Sequence, residues 1–92
     1  RGWRASISLF NPGSTPANII VYCYDATGNL LNGPGGNAAT IKPGERIVGY
    51  ARIFNNNNEF WGSIVVQSDQ GIVGTVVYIK MTNTVGGTYT YP

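Results

Sequence analysis

Apolar residues recur at every second position along most of this chain, and turn-forming residues interrupt the pattern about every ten residues. No window of useful length repeats them at the i, i+3, i+4, i+7 spacing of an amphipathic helix. A chain with this alternation and this punctuation is predicted to be all-β. In "WRASISLF", Trp3, Ala5, Ile7 and Leu9 fall on one side, and Arg4, Ser6 and Ser8 on the other. "NPGSTP" ends that strand, because Pro12 and Gly13 suit a turn and Pro16 blocks ladder pairing.

The next strand, "ANIIVYCYD" from Ala17 to Asp25, is apolar on both sides. Ile19, Val21 and Cys23 form the expected core face, while Ile20, Tyr22 and Tyr24 form a second apolar face. A one-residue slip in register would exchange the two faces. "DATGN" closes the strand: Asp25 can bond the turn backbone, and Gly28 suits a left-handed position. "LL" follows as a short strand, and "NGPGGN" is too rich in glycine for an element interior. "AATI" leads into "KPGE", where Pro43 and Gly44 occupy the central positions of a type II turn.

"RIVGYARIF" is predicted as one strand, with Ile47, Gly49, Ala51 and Ile53 on one face and Val48, Tyr50 and Phe54 on the other. "NNNNE" is a polar tip, "FWGSIVVQS" a strand apolar on both sides, and "DQG" a turn. "IVGTVVYIKMT" is predicted to be the longest strand, and "TYTYP" the last, with Tyr89 and Tyr91 on one face. Seven to eight short antiparallel strands in one domain spanning residues 1–92 point to an immunoglobulin-like β-sandwich. A small barrel is the alternative.

Charge is sparse. Charged residues make up 11% of the chain against about 25% in an average globular domain. The six basic residues are scattered and the net charge is only +2, so no basic run supports nucleic-acid binding. Sparse charge with 13 glycines and many Asn and Thr suits a secreted or surface protein. A start at Arg1 suits a mature chain after signal-peptide removal, or an excised domain. No run of ~18 apolar residues predicts a transmembrane helix.

With no histidine and one cysteine, a Ser-His-Asp or Cys-His arrangement and a structural zinc site are ruled out. The expected role of the four acids, Asp25, Glu45, Glu59 and Asp69, is turn chemistry. "NNNNE" lacks the alternating oxygens of a calcium loop, and "NGPGGN" lacks the lysine and following helix of a phosphate loop. No catalytic, cofactor or metal site is therefore expected. Gly49, Gly62 and Gly74 lie inside strands, where glycine commonly marks a bulge or a close backbone approach. Cys23 shares its face with Ile19 and Val21 and is expected to be a buried small hydrophobe; an intermolecular disulfide is the alternative.

Three stretches, "SLFNPGSTPANIIVYCYDATGNLL", "IKPGERI" and "FWGSIVVQSDQGIVGTVVY", resemble a bacterial extracellular immunoglobulin-like β-sandwich accessory or repeat domain. The resemblance runs from about Trp3 to Tyr78. It implies a non-catalytic accessory of a secreted or surface protein, with no catalytic residues to carry over. More loosely, the chain is similar to the small β-sandwich transducers that partner sensory rhodopsins.

Tyrosines and aliphatic residues on the second strand faces carry the functional expectation. A domain of this size hides only roughly 60–65% of its unfolded surface. Ile20, Tyr22, Tyr24, Val48, Tyr50, Tyr78, Tyr89 and Tyr91 are the candidate interface residues. The expected partner is protein, either a second copy or a companion subunit, as in a pilus, fibre or sheath. The alternative is a carbohydrate-binding module, with aromatic rings flanked by Asn57, Glu59 or Gln67.

Overall fold

The computed structural model describes residues 6–58, 60, 62–76, 79–80 and 87–91. Expectations resting on Trp3, Arg4, Ala5, Glu59, Trp61, Val77, Tyr78 and Met81 lie outside the described residues. The chain is all-β, with two antiparallel sheets. The strands are β1 (Ser6–Phe10), β2 (Ala17–Asp25), β3 (Asn37–Ile41), β4 (Arg46–Tyr50), β5 (Gly62–Ser68), β6 (Val73–Val76), β7 (Ile79–Lys80) and β8 (Gly87–Tyr91). One sheet has the order β4-β1-β6-β7, and the other β3-β2-β5-β8.

Alternation decides which rows face inward. Ile7 and Leu9 of β1, Ile19, Val21 and Cys23 of β2, and Ile64 and Val66 of β5 meet in one buried cluster with Ala17, Ile41, Ala51, Phe54 and Ile72. Each fully buried aliphatic side chain contributes about 1.5–3 kcal/mol of transfer free energy. The Ile19, Val21, Cys23 face of β2 is thus the core face.

Two strand expectations need correction. "RIVGYARIF" does not continue as a strand beyond Tyr50; Ala51–Phe54 form a single 3-10 turn. Residues three apart eclipse on such a turn, so Ala51 and Phe54 are both buried. Ile53, expected on the same face as Ala51, is 44% exposed, and Phe54, expected on the opposite face, is in the core with Ala51. The stretch expected as the longest strand is instead divided between β6 and β7, which pair antiparallel through Thr75↔Lys80 and Val76↔Ile79. The "LL" segment makes only a bridge from Leu30 to Tyr24 and a bond from the Leu31 amide to the Cys23 carbonyl at 2.7 Å.

Turn chemistry follows the expected residues. Gly44 has φ 75° in the Lys42–Glu45 turn, where the Glu45 amide donates to the Lys42 carbonyl at 2.9 Å. Gly28 has φ 90°, and the Asp25 carboxylate accepts from the Thr27 and Asn29 amides, both at 2.9 Å.

Two buried asparagines do more than turn the chain. Asn11 donates through Nδ2 to the carbonyls of Thr15 (2.8 Å) and Ile41 (2.9 Å), and accepts the Gly13 amide at 3.0 Å. Its backbone also bonds Glu45 and Gly44, so it fastens the loop after β1 to the turn before β4. Asn32 accepts the Cys23 amide at 2.9 Å and donates to the carbonyls of Val21 (2.8 Å) and Phe54 (2.7 Å). The Asn37 amide nitrogen reaches the same Phe54 oxygen. The carbonyls of Val21 in β2 and of Phe54 at the end of the 3-10 turn are satisfied in this way.

Candidate interaction surfaces

Directly paired residues on neighbouring strands share a face. Beyond the core rows, the outer face of the β3-β2-β5-β8 sheet carries Ile20 beside Ala38 and Gln67, Tyr22 beside Val65, and Tyr24 beside Ser63. Ile20, Tyr22 and Tyr24 are half-buried. Part of their cover comes from the chain itself. Gly36 sits next to Asn37, the partner of Val21, and a Cβ there would lie 2.9 Å from Tyr22 Cδ1 and 3.0 Å from Ile20 Cγ2. The ring and methyl group fill the space over a glycine, as aromatic side chains do across from glycine in other sheets.

At one end of this face, Asp69 fixes the start of β2. Its Oδ1 accepts the Asn18 amide at 2.8 Å, and its Oδ2 accepts Asn18 Nδ2 at 2.9 Å. Thr40 Oγ1 in turn donates to Asn18 Oδ1 at 3.0 Å. The backbone bond from Asn18, followed by its side-chain bond, holds the Asp69 carboxyl below the usual carboxylate range. Asn18, Ile20, Ala38, Thr40, Gln67 and Asp69 outline an open depression. At the other end, the Asn29 backbone bond, followed by the Thr27 side-chain bond, lowers Asp25 to about 2. Both carboxylates are therefore charged at neutral pH.

The outer face of the β4-β1-β6-β7 sheet differs. Arg46, Phe10 and Val73 form one row, and Val48, Ser8 and Thr75 the next. Val48 is 64% exposed, Tyr50 43% and Val73 37%. The Arg46 guanidinium lies 4.8 Å over the Phe10 ring and donates to Ser8 Oγ at 2.9 Å. The Arg52 guanidinium lies 5.3 Å over the Tyr50 ring. The stacking lays the exposed Arg46 side chain along the sheet over Phe10.

The eight candidate interface residues do not gather in one patch. Ile20, Tyr22 and Tyr24 belong to one outer face, and Val48 and Tyr50 to the other. Tyr89 and Tyr91 lie in β8, registered opposite Val66 and Ile64 of the core row of β5. Tyr78 lies outside the described residues. Phe10, Val73 and Asp69 join these faces without having been singled out from sequence, because only the strand order brings them beside the others. Of the residues expected to flank a sugar, Gln67 lies on the outer face beside Ile20, whereas Asn57 lies in the turn that follows the 3-10 turn.

Asp25 and Glu45 behave as turn acids, Glu45 by accepting the Lys42 amide at 2.8 Å, whereas Asp69, expected to serve its own turn, accepts from Asn18 of β2. Among the described residues, no three His, Cys, Asp or Glu side chains gather as metal ligands, and no helix is long and apolar enough to cross a membrane. Cys23 is buried, with its thiol 3.5 Å from the Phe54 carbonyl oxygen, and burial pushes its pKa up to about 11. The folded protein should therefore resist a thiol reagent at pH 8 and react fully in denaturant. Rapid stoichiometric labelling of the native chain would contradict this burial.

No family model, curated protein or solved structure matches the chain.

Proposed function

We propose that this chain is a non-catalytic extracellular structural subunit that packs on copies of itself or on a companion chain through the outer faces of its sheets. A pilus, fibre, sheath or other surface appendage is the setting, and the globular part of a pilin falls within this reading. The fold proposed for it is an immunoglobulin-like sandwich of seven to eight strands. The shared core between the sheets and the neighbouring pairs β1–β4 and β2–β5 support that fold.

One observation carries the functional reading: Val48, Tyr50 and Val73 are exposed on the face that also holds Phe10, in a chain with little charge. Apolar groups gathered on a sheet face mark interaction surfaces more often than apolar groups scattered singly. Val48→Asp should change folding stability by no more than about 0.5 kcal/mol, since the side chain is largely in solvent. It should nonetheless abolish association. Tyr22→Asp is the matching variant for the other face. Sedimentation velocity from 1 to 100 µM (about the range of weak to moderate assemblies) reads the outcome. A wild-type chain that stays monomeric throughout would overturn packing on copies of itself and leave only the companion chain.

A second reading, carbohydrate binding, draws on the depression beside Ile20 and Ala38, rimmed by Asn18, Gln67 and Asp69. A glycan array reads it directly, and binding lost in Gln67→Ala would support it over assembly on that face.

A further inference from the structure

Strand charges are segregated by sheet. The strands β1, β4, β6 and β7 contain Arg46 and Lys80 and no acid; β2, β3, β5 and β8 contain Asp25 and no base. Arg52 lies in the 3-10 turn, two residues after β4, and stacks on Tyr50, and Asp69 follows β5 directly and is bonded to Asn18 of β2. Lys42 and Glu45 sit together in the turn that joins the two sheets, so their charges offset each other. The outer row of β4 runs from basic to apolar: Arg46, Val48, Tyr50. The outer row of β2 runs from acidic to apolar: Asp69 bonded at Asn18, then Ile20, Tyr22 and Tyr24, whereas Asp25 falls on the alternate row with Ile19, Val21 and Cys23 and bonds its own turn.

We infer that the occupant of the β4-β1-β6-β7 face is the β3-β2-β5-β8 face of a second copy of this chain. The inference rests on the assembly reading above and specifies its geometry. Like faces would set arginine against arginine, or carboxylate against carboxylate, which repels. Unlike faces set Arg46 against Asp69, with their apolar rows alongside. The Asp69 carboxyl, held below the usual carboxylate range by its bonds to Asn18, keeps the acidic face charged at neutral pH. A contact between two different faces leaves one of each free on every pair. It therefore propagates, as a ring or an open filament, instead of stopping at a dimer.

Charge reversal with mixing tests this. Arg46→Glu and Asp69→Lys should each weaken association by tenfold or more on their own. An equimolar mixture should recover it, because the altered basic face of one fits the altered acidic face of the other. Wild-type association should also weaken as salt is raised from about 50 to 500 mM. Asp69→Lys removes the bonds to Asn18. Gln67→Lys is therefore the second variant, placing a positive charge on the same face with those bonds intact. If Arg46→Glu blocks association while both lysine variants leave it unchanged, or if mixing restores nothing, the unlike-face contact is wrong and the assembly reading stands. If wild type is monomeric at 100 µM (an affinity weaker than about 5 kcal/mol), the unlike-face contact and self-assembly both fall.

Discussion

Gly62→Ala should be among the most damaging single substitutions in this chain, costing about 3 kcal/mol or more and lowering Tm by roughly 12 °C or more. Gly62 opens β5 opposite Asp25. A Cβ there would fall on the Tyr24 carbonyl oxygen and lie 2.7 Å from the Asp25 carbonyl carbon and 2.8 Å from Asp25 Cα. All three neighbours are backbone, so no rotamer change relieves the overlap. The strands would have to separate where β2 and β5, the central pair of their sheet, are hydrogen-bonded. Gly35→Ala is the control, because nothing lies within 4 Å of a Cβ there and its φ is not in the left-handed region. It should shift stability by no more than about 1 kcal/mol, and upward if at all. Urea denaturation of both variants gives the comparison. A Gly62→Ala variant within 1 kcal/mol of wild type (a loss below about tenfold in the folding equilibrium) would show that β5 does not approach β2 so closely.

Gly62 is also a measure of what local sequence carries. A glycine inside an otherwise apolar strand is read as a close approach, and here the neighbouring backbone supplies the reason. The two faces of β2 are legible for the same kind of reason, since each shares a period of two; which of them is the core stays open to a one-residue slip, and packing buries Ile19, Val21 and Cys23. The turns at Asp25–Asn29 and Lys42–Glu45 follow from chemistry confined to four or five residues. What fails to show is whatever depends on distant segments. Alternation through Ile47, Gly49, Ala51 and Ile53 fits a strand, yet Ala51 and Phe54 also fit a 3-10 spacing, and the core selects the second. No turn residue marks the break between β6 and β7. Asn11 and Asn32 look like ordinary loop asparagines until Ile41 and Phe54 arrive from elsewhere in the chain.

The candidate surfaces divide in the same way. That Ile20, Tyr22, Tyr24, Val48 and Tyr50 belong to second faces is visible in the alternation. That they belong to two different faces is not, because sheet membership is a matter of pairing between distant strands. The separation of charge between the sheets is invisible for the same reason. Along the chain, Asp25, Lys42, Glu45, Arg46, Arg52, Asp69 and Lys80 look mixed. Only the pairing of β1 with β4 and of β2 with β5 sorts Arg46 from Asp25 and Asp69.

Asn11→Asp should be as costly as any core truncation at neutral pH, at about 3–5 kcal/mol. The native amide nitrogen donates to two carbonyls, Thr15 and Ile41, in a fully buried site. A carboxylate of the same shape would meet both carbonyls with a negative charge and no proton to share. Asn11→Ala, which only leaves those carbonyls and the Gly13 amide open, should cost less, about 2–3 kcal/mol. The two variants differ further in their response to pH. Burial raises the pKa of the introduced carboxyl above its unfolded value of about 3.9. Its protonated form is the one the fold tolerates, since it can donate to one carbonyl and still accept from Gly13. The stability of Asn11→Asp relative to wild type should therefore recover as the pH falls toward about 4 and decline as it rises. Wild-type Asp25 acts in the opposite sense. With its folded pKa lowered from 3.8 to about 2, its contribution is present above the unfolded value and lost as the pH falls through about 2. Between pH 4.5 and 8 (about the range above that loss) Asp25 is thus constant, and the introduced carboxyl alone sets the slope. Urea denaturation at several pH values in that range measures it. A deficit below 1 kcal/mol that does not change with pH (less than about tenfold in the equilibrium) would mean that Asn11 is not the buried clamp between the loop after β1 and the end of β3.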